Sequence, residues 1–156
     1  MSQTLTRKHK PAALRAAVRS HNRNGSSLGL SAERTHDLIR KVQAGLPFKS
    51  LETLSHKSGI PETELAAILG IPHRTFARRK SSGRFAPDES ERLLRIARIF
   101  EQAVELFEGD IPSAVAWLRS PRNALGSYPP LEYSSTELGA REVENLIGQL
   151  QHGIFP

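Results

Sequence analysis

The feature that most constrains this chain is the segment at residues 62–80, ETELAAILGIPHRTFARRK. Apolar residues recur at helical spacing on both sides of Gly70, which predicts two short helices that share one apolar face across a tight turn. Gly70 can take the positive φ that a chain reversal needs, and Ala66 is small enough for the second helix to cross closely. Pro72 suits the first turn of that second helix, where a missing N–H costs nothing. This is the spacing of a helix-turn-helix motif.

The second helix of this motif presents basic side chains on the face away from Phe76. At about 100° per residue, Arg74 and Arg78 project outward together. Arginine offers a two-pronged donor to O6 and N7 of guanine, and a threonine such as Thr75 can bond a base or a phosphate. The predicted DNA-binding residues are His73, Arg74, Thr75, Arg78, Lys80 and Arg84. The alternative is that they form only the solvated face of an ordinary helical hairpin.

Basic residues are concentrated in the half of the chain that holds this motif. Residues 1–86 contain 16 Lys and Arg against five Asp and Glu, whereas residues 87–156 contain six against 11. A positive half suits the phosphate backbone of DNA, and an acidic half suits a second partner of another kind. Basic tails also occur on proteins that never bind DNA, so charge alone does not decide the function.

The composition excludes several classes of protein. The 156 residues include no cysteine, which rules out disulfides and thiolate metal sites and fits a reducing cytoplasm. No apolar run approaches the roughly 20 residues of a membrane span, and no signal-peptide core follows the basic N-terminus. We therefore expect a cytoplasmic protein that has no membrane partner.

The positions of helix caps and helix breakers predict an all-α fold in three parts. Residues 1–30 are rich in Arg, Asn, Ser and Gly, and we expect them to form a basic flexible arm. A helix-turn-helix DNA-binding and dimerisation domain is expected over residues 31–108, and a small helical domain is expected over residues 109–156. The expected side-chain caps of the helices outside the motif are Ser31, Asp110 and Ser135.

The longest predicted helix covers residues 87–108 and is apolar over a wide arc. A helix some 30 Å long with such an arc has to be covered on two sides. Either the rest of this chain covers both sides, or another helix or a second copy of the chain covers one of them. For a homodimer, the predicted contacts are Ile96, Phe100, Val104 and Phe107.

No arrangement of residues in the sequence indicates catalysis. The six histidines show neither HxxxH nor HxH spacing, and the chain has no glycine-rich phosphate loop and no GxSxG motif. Glu89 and Glu91 lie in a charged helix start, which favours pairing with arginines over acid–base chemistry. We therefore predict a protein that is not an enzyme and that holds neither a cofactor nor a metal.

Four blocks of sequence, which follow one another in the chain, carry a resemblance to a known family. They are PHRTFARRK, GRFAPDESERLLRIAR, AVAWLRSPRNALGSYPPLEY and STELGAREVENLIGQLQHGIFP. From Phe48 onward, over about 70% of its length, the chain resembles the Xre/MbcA/ParS-type antitoxins that accompany RES-domain toxins. The resemblance implies a cytoplasmic, dimeric protein with an Xre-like DNA-binding core, and it makes the helical domain at residues 109–156 a toxin-binding domain.

The same resemblance implies a function and a partner. The family partner is a RES toxin that looks like the ADP-ribosyltransferase fold and depletes NAD. The antitoxin blocks the active site of that toxin and, together with it, represses its own operon by binding operator DNA. The alternative is a stand-alone helix-turn-helix transcriptional regulator that has no toxin partner.

The candidate toxin contacts come from residues that match the family and from apolar residues near the C-terminus. They are Trp117, Pro130, Leu131, Arg141, Leu146, Ile147, Leu150, Gly153 and Phe155. The terminal helix and the tail after it are expected to occupy the cleft of the toxin. For Leu146, Ile147 and Leu150 the alternative is that they pack into the core of this chain.

Arg79 occupies a position where many helix-turn-helix proteins place an apolar residue. Helical geometry puts it only about 60° from Phe76, on the inner side of the second helix. We therefore predict that Arg79 turns away from DNA and pairs with Glu89 at the start of the long helix, which would fix the angle between the two helices.

Overall fold

The computed structural model describes residues 24–31 and 34–155, and these residues form α-helices and two short 3-10 turns without a β-strand. The helices are α1 (Thr35–Ala44), α2 (Phe48–Ser58), α3 (Glu62–Ile68), α4 (His73–Ser82), α5 (Pro87–Leu106), α6 (Ile111–Leu118), α7 (Pro130–Tyr133) and α8 (Glu137–Gln151). The prediction of an all-α fold is confirmed.

Helices α3 and α4 form the predicted helix-turn-helix. Between them Gly70 takes a φ of +66°, and the backbone N–H of Ile71 donates to the carbonyl of Ala66 at 3.0 Å. Pro72 directly precedes α4 in an extended conformation, which suits its fixed φ. Ile71, Ala66 and Phe76 are buried, so the apolar face that the sequence predicts is the one that packs inward.

Helix α5 lies at the centre of the molecule and contacts helices from both halves of the chain. It packs against α6 and α8 of the C-terminal half and against α1 and α2 of the N-terminal half. Arg95 and Arg98 of α5 form ion pairs with Glu137 and Glu144 of α8. Buried side chains from both halves belong to a single hydrophobic cluster. The two parts that the sequence predicts as separate domains therefore share one core.

The helix caps differ in part from those predicted. Asp110 caps α6 as expected, because its carboxylate accepts a backbone N–H of the first turn at 3.1 Å. Thr136 rather than Ser135 caps α8, with a corresponding distance of 3.0 Å. The prediction for Ser31 is wrong, since α1 begins only at Thr35 and a cap must lie next to the helix to reach its free N–H groups.

Residues 24–30 pack on the fold, so the prediction of a flexible arm is wrong for this part of it. A 3-10 turn, Ser26–Leu28, buries its leucine against the core. Glu101 of α5 accepts hydrogen bonds from the backbone N–H of Gly25 and from both the N–H and the hydroxyl of Ser27, at 2.6 to 3.3 Å. A half-buried carboxylate thus supplies the acceptors that a polar linker-like sequence needs in order to pack.

The rest of the predicted arm, residues 1–23, lies outside the described residues. Among the helices of residues 24–31 and 34–155, none combines the length and the apolar character that crossing a bilayer requires. The described part of the chain thus consists of the helical core and the turns that join its helices.

Candidate functional site

The outer face of α4 is basic and open to solvent. His73, Arg74 and Arg78 are exposed, and Thr75 is half-buried beside them. No acidic side chain of the described residues forms an ion pair with either arginine. Phe76 packs inward, with its ring centroid 5.2 Å from that of a phenylalanine of α2. The inward anchor holds α4 in place while two guanidinium groups stay available to acceptors outside the molecule.

The two other basic residues of the predicted DNA-binding set have partners within the chain. Lys80 Nζ lies 3.6 Å from a carboxylate oxygen of Glu62, an exposed contact that stabilises weakly. Arg84 donates to the carbonyl of Gly45 at the end of α1, where a helix leaves carbonyls without partners. The guanidinium of Arg84 is therefore occupied by a helix end, which is at odds with a role in DNA binding.

Arg79 and Glu89 lie where helical geometry places them. Arg79 Nε and Nη2 donate to the two carboxylate oxygens of Glu89 at 2.7 and 3.1 Å, which is the two-pronged geometry of a strong ion pair. The same carboxylate accepts the backbone N–H of Ala86 at 2.8 Å, just before α5 begins. Burial raises the pKa of Glu89, but the hydrogen bonds from Arg79 and Ala86 outweigh it and lower the pKa overall.

Most of the apolar residues predicted to contact a toxin lie in the core. The buried ones are Trp117, Pro130, Leu131, Leu146 and Ile147. Leu150 is half-buried against the same cluster. The physical reason is that α8 has one apolar stripe, and α5 and α7 cover it. Trp117, Pro130, Leu146 and Ile147 are therefore wrong as surface contacts, and for Leu146, Ile147 and Leu150 the alternative of packing within the chain holds. Leu131 is buried too, but it lines a surface depression together with Ile68 of α3.

The remaining residues of that set are exposed at the C-terminal end. Arg141 is exposed and pairs with Glu137 one turn earlier, with a nitrogen–oxygen distance of 3.3 Å. Gly153 takes a φ of +72° just after α8 ends. Beyond it, Ile154 and Phe155 leave 56% and 83% of their surface in solvent. The described tail is thus short, apolar and unburied.

Tyr128 and Leu138 are exposed apolar residues that lie outside the predicted set of toxin contacts. Tyr128 is 57% exposed, with its ring centroid 6.0 Å from that of Tyr133, and Leu138 is 78% exposed in the first turn of α8. One signal could have found Leu138, because it lies out of phase with the stripe formed by Val143 and Ile147. No such signal exists for Tyr128, which lies in a turn.

The predicted dimer contacts on α5 are divided between core and surface. Ile96 and Phe100 are buried within the chain, so they are wrong as residues offered to a second copy. Val104 and Phe107 are half-buried against the core, and Phe107 lies 6.4 Å from the Trp117 ring. The wide apolar arc of α5 is explained by its central position, where the chain itself covers both sides.

Titratable groups elsewhere in the described residues serve structural roles. No group of three or more His, Asp and Glu side chains in this part of the chain could hold a metal ion. Hydrogen bonds from the hydroxyl and the N–H of Ser113 lower the pKa of the helix cap Asp110. Burial raises the pKa of Glu101, against the opposing effect of its hydrogen bonds with Ser27 and Gly25.

Comparison with known proteins matches both halves of the chain to domains of one family. The model of the antitoxin Xre-like helix-turn-helix domain matches residues 37–98, and that of the antitoxin Xre/MbcA/ParS C-terminal toxin-binding domain matches residues 102–153. A protein named Antitoxin Xre from Yersinia enterocolitica is 39% identical over 129 residues, which span 82% of this chain and 87% of that protein. The chain belongs to the Xre antitoxin family.

A second protein named Antitoxin Xre, from Photorhabdus laumondii, is 39% identical over 114 residues, which span 72% of this chain and 77% of that relative. The resemblance read from the sequence is confirmed, as is the order of an Xre-like helix-turn-helix domain followed by a toxin-binding domain. In this Xre antitoxin the two domain matches meet inside α5, at residues 98–102. Tyr128 and Leu138 fall within the toxin-binding match, which ends at Gly153, just before the exposed Ile154 and Phe155.

Proposed function

We propose that this chain binds and inhibits a RES-domain toxin by blocking its active site, and that it binds its own operator DNA as an autorepressor. The observation that carries the proposal is the union, in one chain, of an outward basic face on a helix-turn-helix and a family toxin-binding domain. Operator DNA is a partner found in the cytoplasm, and the chain would act there.

The DNA-binding part of the proposal rests on α4. Arg74 and Arg78 reach outward from it with Thr75 between them, and the residue at 77 is an alanine that does not hold the helix away from a groove. Such a helix reads base edges in the major groove through its outward side chains. A helix-turn-helix protein commonly binds two half-sites as a dimer, so we propose a homodimer whose contacts are not Ile96 and Phe100.

The inhibitory part of the proposal rests on the exposed tail. Ile154 and Phe155 follow α8 with their side chains in solvent, which suits insertion into a cleft of a partner. A toxin that depletes NAD has to keep a cleft open for NAD, and a short apolar segment could fill it. The proposed role of the tail is therefore to close that cleft.

Co-expression tests the toxin assignment. The protein encoded by the neighbouring reading frame is expressed alone, with the full chain, and with a chain truncated after Gln151, and cellular NAD is measured. We expect NAD to fall with the toxin alone, to recover with the full chain and to fall again with the truncated chain. Operator DNA binding by the truncated chain serves as the control for folding. Full recovery with the truncated chain would remove the tail from the mechanism.

A stand-alone regulator is the second candidate, and one observation favours it. The basic face of α4 is complete within this chain and needs no partner to form. The neighbouring reading frame separates the two candidates. A RES-type gene there supports the antitoxin, whereas its absence, together with unchanged NAD on expression of the neighbouring genes, supports the regulator.

A further inference from the structure

Two depressions on the surface of this protein join into one groove. They have volumes of about 640 Å³ and 670 Å³, and the residues Tyr128, Glu132 and Ser135 line both of them. The groove starts beside Ile68 of α3, passes Tyr128 and ends near Asn145 of α8. We call it the Tyr128 groove. It therefore extends from the helix-turn-helix into the toxin-binding part.

Large apolar side chains line this groove and remain in solvent. Tyr128 and Leu138 are among the five exposed large hydrophobic residues of the described chain, and both border it. Single exposed apolar residues are common on soluble proteins, but two beside one concave surface mark a binding site. Tyrosine is also a favoured anchor of interfaces, because it combines a large rigid ring with a polar tip.

The turn that carries Tyr128 is held rigidly. Its carbonyl accepts the N–H of Arg122 at 3.1 Å, and its own N–H donates to Leu125 at 3.2 Å. The guanidinium of Arg122 stacks over the ring of the buried Trp117 at 5.3 Å. A backbone that is fixed before binding loses little conformational entropy when a partner arrives. The backbone that carries Tyr128 is thus ordered before any partner binds.

We propose that the Tyr128 groove is the main surface on which the toxin docks, separate from the tail that enters its cleft. This inference rests on the proposed function. Most of the groove lies in residues 102–153, the part that matches the toxin-binding domain. Arg141 and Glu142 line one end and Arg119 and Glu64 the other, which gives the apolar centre the polar rim of a protein interface.

The end of the groove at α3 adds a second consequence. Arg119 of α6 pairs with Glu64 of α3 at 2.8 Å, and both residues line the groove together with Ile68. A toxin seated along the whole groove therefore touches the first helix of the helix-turn-helix. Toxin and DNA would then bind to opposite sides of the same small unit.

The test uses two substitutions that leave the core intact. Tyr128→Ala removes an exposed ring, and Leu138→Glu places an acid in the first turn of α8, where the helix dipole favours it. The matched control is Ile39→Glu, which alters an exposed aliphatic side chain of α1 outside the groove. Affinity for the protein encoded by the neighbouring reading frame is measured by titration calorimetry on full-length chains.

We expect each groove variant to bind that protein about 10-fold or more weakly and the double variant about 100-fold or more weakly. Operator binding and the circular dichroism spectrum should stay as in the wild type, and the control Ile39→Glu should bind normally. Wild-type affinity in the double variant would overturn the groove as the docking surface. A variant that binds the neighbouring protein normally but no longer self-associates would also overturn the proposal. In that case a second copy of the chain, and not the toxin, occupies the groove.

The two proposals fail in different ways in this experiment. A wild-type chain that does not bind the neighbouring protein overturns the proposed function and, with it, the occupant of the groove. A wild-type chain that binds while the double variant binds equally well overturns the groove alone. Docking at the groove and inhibition by the tail are separate roles if the chain truncated after Gln151 retains toxin affinity but loses inhibition. Loss of affinity in the truncated chain would contradict that division of roles.

Discussion

The outer face of α4 and the apolar residues of α8 were both predicted as binding surfaces, and the structure treats them oppositely. Arg74 and Arg78 lie in solvent, whereas Leu146 and Ile147 lie in the core. The difference follows from solvation. A charged side chain without a partner has to stay in water, but an apolar side chain gains by burial wherever the chain offers it.

This difference teaches how far a site can be read from residue type. A basic stripe on a helix marks its exposed side, because the charges have to stay in water. A predicted DNA-binding face of this kind therefore lies on the surface. Apolar residues serve cores and interfaces equally well, and only packing separates the two uses. Tyr128 and Trp117 are both aromatic, yet the residue predicted as a contact, Trp117, is buried, and Tyr128, which was not predicted, is exposed.

The largest expected effect comes from the core side of this comparison. Ile147→Ala should lower the free energy of unfolding by about 2–5 kcal/mol, because it leaves a cavity in a packed core. Phe155→Ala is the matched control and should change it by less than about 0.5 kcal/mol, since the side chain is in solvent. Urea unfolding followed by circular dichroism measures both. If the Ile147→Ala chain has wild-type stability but does not bind the toxin, Ile147 is a toxin contact and not a core residue.

The second largest effect is expected for Arg79, the arginine of α4 that faces inward. In a double-mutant cycle, Arg79→Ala and Glu89→Ala should show a clear coupling energy in unfolding, because their two-pronged contact is partly buried and both carboxylate oxygens take part in it. Purely additive losses would mean that the contact contributes nothing as a pair. Lys80→Ala, which removes an exposed contact with Glu62 and a long cation–π contact with the Phe48 ring, is the control and should cost little.

The ion pair also predicts a dependence on pH. The pKa of Glu89 is lowered in the folded protein, so its contribution to stability is present above the ordinary glutamate pKa. That contribution should be lost as the pH falls through the lower folded value. A Glu89→Gln chain should lose less stability on acidification than the wild type, measured by urea unfolding at a series of acidic pH values. Equal losses would contradict the assignment.

A comparable effect on binding rather than folding is expected for the arginines that face outward. Arg74→Ala should weaken operator binding by about 1–3 kcal/mol and leave the unfolding free energy unchanged. The opposite pattern is expected for Arg84→Ala, which should affect stability more than DNA binding. It should lower stability by about 1 kcal/mol, because it removes a donor from the end of α1, and should affect DNA less. Fluorescence anisotropy with operator DNA and urea unfolding give the two readouts, and equal DNA losses would put Arg84 back in the DNA-binding set.

The smallest effect is expected where residues 24–30 join α5. Burial raises the pKa of Glu101, so the wild-type stability falls as the pH rises from the ordinary glutamate pKa through the raised one. Glu101→Gln keeps an acceptor oxygen for Ser27 and should remove this fall. The difference between the two pH profiles of unfolding measures it. A profile identical to that of the wild type would show that Glu101 is not the group responsible.

The fold could be predicted from the sequence where local chemistry fixes local geometry. Gly70, Pro72 and the apolar spacing around them determine the helix-turn-helix, and Asp110 determines a helix start. The pairing of Arg79 with Glu89 followed from the helical angle and from the cost of an arginine on an inner face. These features depend on residues close together in the chain or on one strong physical requirement.

The rest depended on contacts between distant residues. Residues 24–30 read as a linker because the acceptor that orders them, Glu101, lies more than 70 positions away. The wide apolar arc of α5 read as a dimer surface because neither α6 nor α8 could be placed on it from spacing alone. The Tyr128 groove forms only when α3, α7 and α8 are assembled. It therefore cannot be predicted from any local sequence pattern.

The single helix that both family domains share has a consequence for exchanging parts between relatives. The domain matches end and begin at residues 98 and 102, in the middle of α5, where Ile99 and Phe100 are fully packed. A chimera joined there would combine two halves of one buried stripe from different ancestors. A joint placed in the turn at residues 107–110 would keep α5 whole, but its partner helices would still have to match that stripe. The helix-turn-helix domain and the toxin-binding domain of different relatives can therefore be combined only where the residues of this shared stripe are compatible.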